Sequence, residues 1–133
     1  MNQTHRLGVI LILAAALLGG CRAGAGGETM SLEVSASAYN SVASQTNEQP
    51  NLAAWGDELR PGMKAIAVSP DLVDLGLDHG TEVTIEGLPG RYTVLDRTGS
   101  GHTNRIDIYM GTDVDAAREW GIKKVTITWQ ANE

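Results

Sequence analysis

The segment Leu95-Asp96-Arg97-Thr98-Gly99-Ser100-Gly101-His102-Thr103-Asn104-Arg105-Ile106-Asp107-Ile108-Tyr109 holds two aspartates, eleven positions apart, on either side of a glycine-containing loop. Asp96 closes the run Tyr92-Thr93-Val94-Leu95, and Asp107 stands between Ile106 and Ile108. Successive side chains of a strand point to opposite faces. The two isoleucines therefore share one face and Asp107 takes the other, turned either to solvent or into a cleft. Short β-branched runs around a polar loop predict strand, loop, strand.

The same reading extends outward in both directions. Leu32, Val34, Ala36 and Ala38 alternate with Glu33, Ser35 and Ser37, which predicts a half-buried strand ending near Tyr39. Ala65-Ile66-Ala67-Val68 is a short strand stopped by Pro70, and Thr81–Ile85 with Tyr92–Leu95 around the turn at Gly87–Gly90 reads as a hairpin. Val125–Trp129 is the last strand. Between Asn40 and Lys64 the chain is polar and broken by Gly and Pro, the composition of a functional rim loop. One helix is expected, capped by Thr112, with Asp113 and Asp115 in its first turn, Val114, Ala117 and Trp120 on its buried face and Gly121 at its end. Six short strands and one short helix near the C-terminus predict a mainly β protein, a small barrel.

Composition narrows the functional classes. The chain has 133 residues, 42% apolar and 20% charged, which suits one globular domain. It has no Phe, so Val, Ile, Leu, Ala and Met must fill the core. A net charge of −6 without a local Lys/Arg cluster opposes a phosphate backbone, so no nucleic-acid partner is expected. Zinc spacings, a Walker loop and a GxSxG elbow are all missing from the sequence. His79 and His102 are isolated, and neither a metal nor a cofactor is expected.

The N-terminus is an address. Leu7–Leu18 is an apolar run of twelve residues, too short for a span of about 20 but suited to a secretory leader. It ends Leu18-Gly19-Gly20-Cys21, which resembles the lipobox of bacterial lipoproteins. That resemblance implies a leader over 1–20, a lipid on Cys21, a flexible tether over 21–30 and a folded domain over 31–133. Arg22 after the cysteine implies, by the same resemblance, the periplasmic face of the outer membrane. The alternative is an ordinary cleaved leader with an incidental cysteine beside it.

From spacing alone, Asp96 and Asp107 either form loop hydrogen bonds and pairs with Arg97 and Arg105, or form a carboxylate pair suited to proton transfer. The segment resembles the signature of the three-aspartate (3D) domain family, found in membrane-bound lytic transglycosylase A and in cell-wall stationary-phase proteins. The family pattern is roughly Asp-Thr-Gly-Gly-x-x-Lys-Gly-Asn-Arg-Ile-Asp-Ile-Phe. This chain shares the aspartate spacing, Gly99 and the block Asn104-Arg105-Ile106-Asp107-Ile108. Gly56, Gly62, Ala65–Pro70, Leu75-Gly76, Gly80-Thr81, Ala116, Gly121 and Val125 are similar to further family positions, so the resemblance spans about Ala36 to Trp129. The family's first aspartate falls on Ser69, with Asp71 two residues beyond, and its loop lysine falls on His102.

The resemblance implies a six-stranded double-psi β-barrel, the fold of rare lipoprotein A and expansins, acting on peptidoglycan glycan strands as a monomer. A lytic transglycosylase closes the sugar's own 6-hydroxyl onto C1, so one carboxyl group serves as acid and then as base. Asp107 would be that group, with Asp96 orienting it. Ser69, His102 and Arg105 would line the substrate site, Arg105 binding a substrate carboxylate or pairing with Asp96. Tyr39 and Trp55 would stack on a sugar ring, or Trp55 would pack its loop onto the barrel. Ser69 in place of an acid leaves a second function open, a glycan-binding lipoprotein that keeps the barrel without turnover.

Overall fold

The computed structural model describes residues 11–13, 28–41 and 51–131. Cys21 and most of the expected leader and tether lie outside the described residues.

The strands are β1 (Leu11–Leu13), β2 (Thr29–Tyr39), β3 (Ala65–Val68), β4 (Glu82–Ile85), β5 (Tyr92–Arg97), β6 (Arg105–Tyr109) and β7 (Lys123–Gln130). Six of them close a barrel in the order β2-β6-β3-β5-β4-β7, and β7 returns to β2. The pairs β2–β6 and β3–β5 are parallel, and the others in the ring are antiparallel. This pairing is compatible with a double-psi barrel. β1, from within the apolar run Leu7–Leu18, lies outside the ring, antiparallel on Thr29–Ser31 of β2.

Alternation decides which side chains fill the barrel. Val34 and Ala36, Ile66 and Val68, Val83 and Ile85, Val94, Ile106 and Ile108, and Val125 and Ile127 are all buried in one cluster. Branched residues in well-defined rotamers pack a narrow barrel without Phe. Leu72, Leu77 and Trp129 complete the same cluster. A second cluster of Ala53, Leu59, Ala65 and Tyr109 lies on the outer face, with Tyr39, Met63 and Leu95 against it. Here the rim segment 51–59 folds back on itself through the Leu52–Glu58 bridge and covers that face.

Three expectations need correction. A second helix, α1 (Pro70–Asp74), follows β3 directly. Pro70, which ends the strand because it has no N–H, also presets the first helical residue. In α2 (Val114–Trp120) the N-cap is Asp113 rather than Thr112, its carboxylate accepting from Ala116 N at 3.0 Å. The α2 face of Val114, Ala117 and Trp120 is only half-buried, because the helix lies outside an already closed barrel. Trp120 still anchors it, donating from Nε1 to the Ala36 carbonyl at 3.1 Å.

Candidate functional site

The outer face of β2, β6, β3 and β5 brings the two aspartates onto one row. Ser37 pairs with Asp107, Asp107 with Ala67, and Ala67 with Asp96. Directly paired residues share a face. Asp96 joins this row through a bulge, since Ile66 pairs with Val94 and Ala67 pairs with Asp96, leaving Leu95 unpaired. Without the extra residue, alternation from the buried Val94 would turn Asp96 inward. The bulge re-aims it outward. Two strand spacings separate the aspartates, about 10 Å between their backbones. Ala67, the small residue between them, keeps the floor of that interval low.

The two carboxylates are held differently. Asp96 accepts on Oδ1 from Ala54 N at 2.7 Å and Arg97 N at 2.9 Å, and on Oδ2 from the Tyr39 hydroxyl at 3.2 Å. Both of its oxygens are occupied. Asp107 accepts on Oδ1 from the Ser37 hydroxyl and from Arg105 Nε at 3.2 Å. Arg105 Nη2 also donates to Ser37 Oγ at 2.8 Å, which closes a three-membered network. Among the described residues nothing donates to Asp107 Oδ2, and the Asp107 side chain keeps 19% of its surface exposed. Of the partners expected for Arg105, a substrate carboxylate or one of the two aspartates, the ion pair in the fold is with Asp107, two residues along the same strand face.

Tyr39 stands among these groups. Its ring lies 5.5 Å from that of Tyr109, whose hydroxyl shares a 2.8 Å hydrogen bond with Ser41. Burial pushes the Tyr39 phenol well above its ordinary value, and the negative charge of Asp96, the hydrogen bond to it and the charge of Asp107 push the same way. Tyr39 is thus a neutral donor.

The other expected site residues are placed as follows. Ser69 has no exposed surface, and its hydroxyl accepts from Arg105 N at 3.0 Å, so it does not touch substrate as expected. Asp71 accepts from Asn104 N at 2.9 Å and fixes the end of the glycine loop. His102 lies in that loop, half-buried, with no partner for Nδ1 among the described residues. Trp55 packs against the main core, with the His79 ring 5.1 Å away and the Arg97 guanidinium 5.4 Å from its ring centre. Those neighbours support the loop-packing alternative over a sugar platform. His79 Nε2 in turn meets Asp57 Oδ2 at 2.5 Å, tying the 51–59 segment down.

Ser37, Ala67 and the Ala54 amide are the site groups that sequence reasoning missed. Ser37 was within reach, since it shares a strand face with Tyr39 two residues on. The Ala54 amide carried no signal, because backbone donors are set by loop shape alone.

No protein-family model matches this chain, and no curated protein matches it.

Proposed function

We propose that this chain is a three-aspartate-type lipoprotein of the cell envelope that cleaves the MurNAc–GlcNAc bond of peptidoglycan by lytic transglycosylation, with Asp107 as its single acid and base. The observation that carries the reading is the open Oδ2 of Asp107 beside a carboxylate, Asp96, with both oxygens engaged. A proton on Oδ2 passes to the leaving 4-oxygen as the glycosidic bond breaks. Arg105 and Ser37 stabilise the carboxylate left behind. That carboxylate then takes the proton of the 6-hydroxyl as its oxygen bonds to C1, so no water is consumed and Asp107 is restored. In this reading the lipid on Cys21 tethers the domain to the outer membrane's periplasmic face.

A second reading, glycan binding without turnover, draws on the Arg105 contact, which commits the Asp107 carboxylate to an ion pair on its own strand. One experiment separates the two. Purified protein is incubated with peptidoglycan and the products are read by mass spectrometry. Release of 1,6-anhydro-muropeptides that falls at least about 100-fold in Asp107→Asn supports the enzyme. Sedimentation with peptidoglycan and no anhydro product, even at high protein concentration, supports the binding protein and overturns the first reading.

A further inference from the structure

Asp96 lies where three separate parts of the chain meet. The Ala54 amide reaches it from the rim segment, its own strand supplies the Arg97 amide, and Tyr39 reaches it from β2 with the one side-chain donor among these. The two amides share Oδ1, so Oδ2 is fixed by the Tyr39 hydroxyl alone among the described residues. A carboxylate held through one oxygen can still rotate its other oxygen toward a substrate, whereas one held through both cannot. Asp107, across Ala67, is in the first of these conditions.

We infer that Tyr39 is a positioning residue: by occupying Oδ2 of Asp96 it makes that carboxylate the anchor of the 51–59 segment and leaves Asp107 as the carboxylate presented to substrate. This rests on the transglycosylase reading for its chemical consequence and on the geometry alone for the anchoring. Its ring packs against Tyr109 and its hydroxyl meets Asp96, contacts that support a positioning role for Tyr39 over the expected sugar platform.

The test compares the full chain with its Tyr39→Phe and Asp96→Asn variants in two measurements. The first is amide hydrogen exchange at Ala54 and Arg97. Loss of the phenol is expected to raise exchange at both amides several-fold, with Asp96→Asn doing the same from the other side of the bond. Exchange at wild-type rates in Tyr39→Phe overturns the anchoring. The second is the pH profile of anhydro-muropeptide release. Tyr39→Phe is expected to lower kcat at least about tenfold with KM little changed, and to alter the profile as the Asp96 carboxylate is freed to turn. A wild-type rate and profile in that variant overturns the positioning role. Should the wild-type protein release no anhydro product, the enzyme reading fails on its own, and the exchange measurement still decides whether Tyr39 anchors Asp96.

Discussion

Ser69 shows how one side chain changes the weight of a motif. The resembled family has an acid at this position, and its loss here suggested a weakened site. In the fold the position has no access to solvent, and what it supplies is an acceptor for the Arg105 amide at the point where β6 begins. A hydroxyl meets that need as an acceptor, so this position helps frame the strand that carries Arg105 and Asp107. Ser69→Ala leaves a buried amide without its acceptor. It is expected to cost about 1–3 kcal/mol, read as a lower urea midpoint at unchanged slope. An unchanged midpoint would show that the amide finds another acceptor.

At the scale of elements, Gly111 joins β6 to the turn before α2, and its backbone is among the most constrained in the chain. Its φ of +56° lies in the left-handed region, and a Cβ there would meet the Pro61 backbone at 3.0 Å. Its carbonyl accepts from Ser41 N at 2.9 Å and from Asn40 Nδ2 at 3.1 Å, so the turn holds the end of β2 as well. Gly111→Ala should therefore lower stability by about 1–3 kcal/mol through both strain and displacement, measured by thermal unfolding. Retention of the wild-type midpoint would mean the 61–62 backbone yields freely. Such elements divide into those visible in the sequence and those made by partners. Most strands were legible because they alternate on their own, from Val34 and Ala36 to Ile106 and Ile108, and β3 because its apolar run Ala65–Val68 ends at a proline. The Leu95 bulge was not, because nothing in Tyr92–Arg97 marks it; it exists only in the pairing with β3, some thirty residues earlier in the chain.

 The α1 helix was hidden for a related reason, since Pro70 signals the end of a strand and the start of a helix in the same way. Of the site, the shared face of Arg105 and Asp107 follows from period two. The surroundings of Trp55 do not, because Arg97 and His79 reach it from other segments.

Taken as a whole molecule, the barrel is a ring with no free edge among its six strands, and its outer face is where the titratable groups meet. This gives the fold a dependence on alkaline pH whose direction can be worked out. In an unfolded chain a tyrosine ionises near pH 10. In the fold, Tyr39 is held neutral above that by burial first and then by Asp96 and Asp107, and Tyr92 is shifted the same way by burial. Above about pH 10 the unfolded chain has given up protons that the folded chain still holds, so rising pH favours unfolding. The contribution is fully present below the unfolded value and is lost as the pH climbs toward the folded one. Each such tyrosine should steepen the loss by roughly 1.4 kcal/mol per pH unit over that range. Urea unfolding followed from pH 8 to pH 11.5 should therefore show stability falling above about pH 10, with a visibly shallower fall in Tyr39→Phe, where only Tyr92 still carries a raised value among the two. Equal slopes in the two proteins would mean that Tyr39 ionises in the fold as readily as in the open chain, and that neither burial nor the contact with Asp96 holds its proton.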